Sequence, residues 1–273
     1  MKKAVIRQQE HYIAGLKKKT EIFLSNIDKS GIETILLSGS AARGDFWPGK
    51  FGGMIDLTVF KKQGSGITPE EIFGGNEEPE IPFHCVRRGN EWFQILFQDK
   101  MDAQVFRNSG EPAKSALMES VVLYDPEKRY EKTLAEIYEF AGEDLPMALA
   151  NALGYINFLL SEYKTDRWER REAYPQLHQN LDSALREGIK SLYYLNGKYA
   201  PAEDRRLYYS YDLEKLPVNY EKLMKKLYRQ NIASLKDYRR REKIFRKEFL
   251  GFIMYKAGAD TAGDGPEGKT QSG

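Results

Sequence analysis

From Ile13 the apolar side chains advance by threes and fours, through Leu16, Phe23 and Ile27 with Thr20 between them, and the pattern stops at Gly31. That spacing predicts an amphipathic helix. The period then changes. "IETILLS" is short, apolar and β-branched, and predicts a buried strand. "SGSAARGD" predicts a turn running into a short helix, and "MIDLTVF" a second strand, with Thr58 and Val59 favouring extended backbone. "KKQGSGITPEEIFGGNEEPEIP" is rich in Gly and Pro and leaves room for one helical turn at most. Three extended runs are expected after it, "FHCVRR", "EWFQILFQ" and "MDAQVF", joined by "GN" and "DK" as hairpin turns.

Beyond Pro112 the period becomes helical, with a short "VVLYDP" segment between two helical pieces. After Gly142 the segments "PMALANALGYINFLLSEY", "YPQLHQNLDSALREGIKSLYYLNGKY" and "NYEKLMKKLYRQNIASLKDYRRREKIFRKEFLGFIMY" all carry helical spacing. Strands first and helices afterwards predict an α+β chain. Its expected parts are a mixed sheet with flanking helices over residues 1–141 and an all-α bundle over 142–257. Residues 258–273, small, polar and Gly-rich, are expected to be a disordered tail.

Composition narrows the classes. The chain has 273 residues, 41% of them hydrophobic and 30% charged, which is globular, and a net charge of +2 is too small to argue for nucleic acid by itself. One cysteine, Cys85, excludes an internal disulfide. No apolar run approaches the ~20 residues of a membrane span, and "MKKAVIRQQEHY" lacks the apolar core of a signal peptide. A cytoplasmic protein without a membrane partner is expected.

The candidate chemistry lies between Leu36 and Phe60. A strand ending in Gly39-Ser40 and opening a helix gathers free backbone N–H groups at one point. Gly39 allows close approach, the Ser40 hydroxyl donates, and Arg43 has the geometry to pair with phosphate oxygens. Alone, such a turn is a plain helix cap. Asp56 changes the picture, because a carboxylate in an apolar strand is costly to bury unless it is paired or bound to a cation. Asp102, at the start of the third extended run, has the same character. If those strands are neighbours, the two acids form an oxygen cage suited to Mg²⁺ carrying a nucleoside triphosphate.

Gly39-Ser40, Arg43-Gly44-Asp45, Ile55-Asp56-Leu57 and the later Asp102 together resemble the DNA polymerase β-type nucleotidyltransferase superfamily. Within it the chain is most similar to the small-substrate branch of the aminoglycoside nucleotidyltransferases, which append a helical bundle. The resemblance implies transfer of a nucleoside monophosphate from a Mg²⁺-bound triphosphate, ATP first among them, to a hydroxyl of a small acceptor. It implies Asp56 and Asp102 as catalytic metal ligands and Gly39, Ser40, Arg43 and Asp45 as nucleotide contacts. The family pattern has two acids one residue apart. Here Met54 replaces the first, or Thr58 the second; the former alignment keeps Ile55 and Leu57 at the family's apolar positions. One Mg²⁺ is therefore expected rather than two. The alternative is a degenerate module that binds nucleotide or a partner without turnover.

Other residues carry weaker signals. Arg171 and His178 resemble the Arg…His spacing of HEPN-type ribonucleases, but among so many arginines His178 reads first as a helix-surface or partner-contacting residue. Cys85 beside His84 reads as a small buried side chain. "KKLYRQNIASLKDYRRREKIFRKEF" has the basic and aromatic composition of a nucleic-acid-binding helix. Its simpler reading is packing, with Ile244, Phe245, Phe249 and Phe252 as the apolar stripe. An RNA-associated or toxin–antitoxin-type module rests on that helix alone.

Overall fold

The computed structural model describes residues 3–46 and 53–262, with side chains over 14–46 and 53–258. The fold is α+β, and the chain divides into two compact units, Met1–Phe140 and Ala141–Gly273.

The first unit is built on a five-stranded mixed sheet. Its strands are β1 (Ile32–Leu37), β2 (Met54–Lys61), β3 (His84–Arg88), β4 (Glu91–Gln98) and β5 (Val121–Tyr124), in the order β3-β4-β2-β1-β5. All neighbours are antiparallel except β2 and β4, which run parallel. Alternation along β2 sends Ile55, Leu57 and Val59 to one face, where all are buried. They join Phe93 and Ile95 of β4 and Leu16, Phe23 and Leu24 of α1 (Lys3–Ser25) in one apolar core. Met54, Asp56 and Thr58 point to the other face and are half-buried.

Short helices fill the connections: α2 (Gly39–Arg43), α3 (Pro69–Phe73), α4 (Ala103–Arg107) and α5 (Glu111–Met118). The third expected strand, "MDAQVF", is a helix instead. Asp102 is the N-cap of α4 and its carboxylate accepts from Gln104 N at 2.9 Å. Ala103 and Phe106 are buried while Val105 is exposed, a spacing of three that belongs to a helix. The "VVLYDP" segment supplies β5, the edge strand beside β1.

The next helix, α6 (Arg129–Leu159), runs through the expected boundary at Gly142 and holds Pro146 within it. Pro146 removes one N–H from the ladder, yet Ala141, Leu145, Ala152 and Ile156 are buried along it, and that packing offsets the loss. The second unit continues with α7 (Glu162–Glu169), α8 (Tyr174–Leu195), α9 (Glu203–Ser210), α10 (Tyr220–Tyr228) and α11 (Leu235–Ile244). A π-helical turn, Phe245–Leu250, then leads into α12 (Gly251–Ala262). The helix therefore reaches five residues into the stretch expected to be tail, and residues 263–273 lie outside the described residues.

In this unit α8 packs against α7, α9, α11 and α12. Gly188 is required on α8, because a Cβ there would stand 2.4 Å from the Phe249 ring. Beneath α11, Arg241 is fully buried. Its guanidinium donates to His178 Nδ1 at 2.8 Å, Leu227 O at 2.7 Å and Gln230 Oε1 at 2.7 Å, and it pairs with Asp182. Every face of that cation is matched, which is the condition for burying it.

Candidate functional site

The turn after β1 is held by its neighbours on both sides. Ser38 N donates to Asp56 O at 2.8 Å, and Ser38 Oγ bonds Thr58 Oγ1 at 2.9 Å and Ser120 Oγ at 3.1 Å. The next residue, Gly39, has φ +63° and opens α2. Glycine is needed there twice over. The left-handed backbone disfavours a side chain, and a Cβ would fall 1.9 Å from Asp56 Oδ2. The Asp56 carboxylate thus lies directly against the turn.

Register shows what surrounds that carboxylate. On β4 the residue opposite Asp56 is Gln94, and opposite Gln94 on β3 stands Cys85. With Ser38 and Ser120 on the other side, a polar row crosses the sheet: Cys85, Gln94, Asp56, Ser38, Ser120. Met54 and Thr58 flank Asp56 along its own strand. Asp56 is the single carboxylate in this row. Burial pushes the Cys85 thiol up, and the carboxylates of Glu78 and Asp56 push it further, so the thiol stays protonated.

At the other end of α2, the Arg43 guanidinium lies 3.6 Å from Asp45 Oδ1 and 3.3 Å from Glu119 Oε2. Arg43 and Asp45 are mostly buried, at 13% side-chain exposure each, so these attractions are only partly screened. A phosphate arriving here competes with two carboxylates for one guanidinium.

The structure brings Gly39, Ser40, Arg43, Asp45 and Asp56 around one short helix. It does not bring Asp102 to them. Ile32 is paired with Lys61, whereas Ser38 meets Asp56, so the two ends of the β1–β2 ladder are distinct. Asp102 belongs to the Ile32 end, since Lys61 pairs with Asp99 at 2.7 Å and Met101 N donates to Glu33 Oε2 at 3.2 Å. Five residues of strand separate Lys61 from Asp56, roughly 16 Å. Asp102 is occupied as a cap and by Lys100 Nζ at 2.8 Å, and the Lys100 bond, followed by that of Gln104 N, holds its carboxyl below the usual range. The expected Asp56–Asp102 metal pair is therefore corrected: the parallel neighbour of β2 contributes Gln94, and the acid follows four residues beyond the end of β4. Among the described residues no group of three or more His, Cys, Asp or Glu side chains converges as a metal site.

His178 is buried rather than on the surface. With Arg241 donating to its Nδ1, Nε2 carries the hydrogen and donates to Ser234 O at 3.2 Å. Arg171 turns back to Arg167 O at 2.7 Å. Arg171 and His178 make no shared site. A cavity of ≈ 640 Å³ lies behind the sheet, with Phe23, Phe73 and Phe93 on its wall, on the face opposite Asp56. Gln94, Ser38, Ser120 and Glu119 were missed in the sequence. Ser38 was accessible there, because it adjoins the Gly-Ser turn; the others join the site through pairings distant along the chain.

No protein-family model and no curated protein matches this chain. Among solved structures, a nucleotidyltransferase-like protein from Exiguobacterium sibiricum 255-15 is similar, with 9% identity over 88% of this chain and 77% of that one and a TM-score of 0.38. No helix among the described residues is long and apolar enough to cross a membrane.

Proposed function

We propose that the first unit is a nucleotidyltransferase-like module that binds a nucleoside triphosphate, ATP as the first candidate, at the Gly39 turn, and that transfer from it is impaired. One observation carries this reading. Around Asp56 the positions that would supply a second carboxylate hold Met54, Thr58 and Gln94. Two divalent ions about 4 Å apart repel by about 17 kcal/mol at an effective dielectric constant of 20, and a lone carboxylate does not offset that. The residues fit one Mg²⁺ at most, carried largely by the phosphates of the nucleotide, with Asp56 as its protein ligand. Such an ion would neutralise phosphate charge beside a site that already holds Asp45, Asp56 and Glu119.

In this reading Gly39 lets the phosphates approach the backbone, the Ser40 hydroxyl and the turn amides donate, and Arg43 changes partner from carboxylate to phosphate. Full transfer to the hydroxyl of a small acceptor would need a second acid, and Asp45 is the nearest along the chain, ion-paired with Arg43. Calorimetry with ATP and Mg²⁺ on the wild type, Ser40→Ala and Arg43→Ala tests the proposal. Binding that weakens at least tenfold in either variant supports it, and no heat with any of the four triphosphates ends it.

A further inference from the structure

We infer that the outer face of α11 and its π-helical turn binds the phosphate backbone of a single-stranded nucleic acid. Arg239, Glu242, Lys243, Arg246 and Lys247 line one shallow, open depression of ≈ 510 Å³. They recur at steps of three, four, seven and eight, which is one helix face, while Tyr238, Arg241, Phe245 and Phe249 fill the opposite, buried face. The packing reading of this helix therefore accounts for the inner face only.

The charges of the depression do not balance. Arg239 is held by Glu169 of α7, and Arg246 by Glu242 at 3.0 Å and by Leu160 O. Those two arginines are neutralised and fixed in orientation. Lys243 and Lys247 are exposed and form no ion pair with any described residue. A solvated helix face ordinarily alternates sign at a spacing of four. Here Arg239, Lys243 and Lys247 place three cations in a row at that spacing, where like charges repel. The row extends about 12 Å at 1.5 Å per residue. A free phosphate would satisfy one or two of these groups, whereas a chain of phosphates satisfies all of them at once.

The neighbouring helix selects a single strand over a duplex. Glu169, the last residue of α7, meets Arg239, and α7 with the turn after it also carries aromatic rings beside cations. Arg167 lies 5.3 Å from the Tyr163 ring and 5.9 Å from the Trp168 ring, and Arg171 lies 5.9 Å from Trp168. Tyr163 is 66% exposed. A cationic patch with an exposed aromatic ring on the adjoining helix suits strands whose bases are free to stack.

The test is fluorescence anisotropy of the full chain with a labelled 20-nucleotide single-stranded RNA of mixed sequence, its duplex, and a polyglutamate peptide. Two phosphates neutralised by Lys243 and Lys247 predict a log–log salt slope near −1.4, so affinity for the single strand falls about 7-fold from 50 to 200 mM salt. The Lys243→Ala/Lys247→Ala variant, whose folding is checked by its melting curve, loses that slope. Tyr163→Ala weakens binding and leaves the slope unchanged. No binding at 50 mM salt, an unchanged slope in the double lysine variant, or tighter binding of the duplex or the peptide overturns the inference. Calorimetry with Mg²⁺ and ATP reads other residues, so the two proposals fail independently.

Discussion

Gly39 and Asp56 occupy each other's space: the Asp56 Oδ2 atom stands 1.9 Å from where a side chain on Gly39 would begin. The turn and the carboxylate are one structural unit although they lie 17 positions apart in sequence. Gly39→Ala should cost about 2–4 kcal/mol, from the left-handed backbone and the displaced carboxylate together. In the Asp56→Ala background the same change should cost only the backbone part, about 1–2 kcal/mol. A double-mutant cycle by urea unfolding measures the difference, and additive costs would contradict the observed closeness.

Restoring acids should change the ion count. Met54 and Gln94 share the face of Asp56, one along the strand and one across it. Met54→Asp alone, and more so Met54→Asp with Gln94→Asp, should raise Mg²⁺ uptake in the presence of ATP. Metal titration with Mn²⁺ as a spectroscopic substitute reads this directly. Wild-type stoichiometry in the double variant would mean that the face is not a metal platform.

Asp102→Asn should leave nucleotide affinity unchanged while slightly lowering thermal stability, since its roles are the cap of α4 and the bond to Lys100. The folded carboxyl titrates below the unfolded one. Its contribution is therefore present above the unfolded value near 3.9 and fades as pH falls through the folded one. Melting curves from pH 6 to pH 2 on both proteins should converge at the acid end.

Burial, reinforced by Tyr138, pushes the Tyr130 phenol up to about 12. Its hydroxyl donates to Leu117 O at 2.8 Å and lies 3.0 Å from Ser120 O. The unfolded phenol ionises near 10. Between those values the folded chain keeps a proton that the unfolded chain has lost, so stability falls as pH rises across the window and is complete below it. Tyr130→Phe should cost about 1–2 kcal/mol at neutral pH and flatten this alkaline loss. Urea midpoints at pH 8, 10 and 11.5 for both proteins report it.

Removing the buried guanidinium should be severe. Arg241→Met leaves His178 and Asp182 without their donor and should cost about 3–5 kcal/mol. Adding Asp182→Leu should recover part of that loss, because the stranded carboxylate goes with it. Equal instability of the single and double variants would count against a charge-matched core.

The sequence made the element order legible because most elements keep one period for their whole length. Asp56 was legible as a face-mate of Met54 and Thr58 for the same reason. Asp102 was misread because a six-residue run with one alternation fits either period, and its capping role depends on the backbone of Gln104. Gln94 was hidden by topology. Two hairpin-like runs suggest neighbours in chain order, but β4 reaches past β3 to pair with β2, and a parallel pairing leaves no local mark. Arg241 was hidden in plain composition, one basic residue among several, distinguished only by facing inward.

The π-helical turn over Phe245–Leu250 makes one stretch of this long helix tolerant of a change in length. A π turn spans its stretch with one more residue than an α-helix requires. Deleting a single outward residue there, Glu248 for instance, would let the turn relax to α geometry and keep Ile253 facing the core. The same deletion inside α11 or α12 would rotate everything on one side by about 100°, carrying buried side chains into water. Chain length can therefore drift at this turn while the flanking helices stay fixed in register.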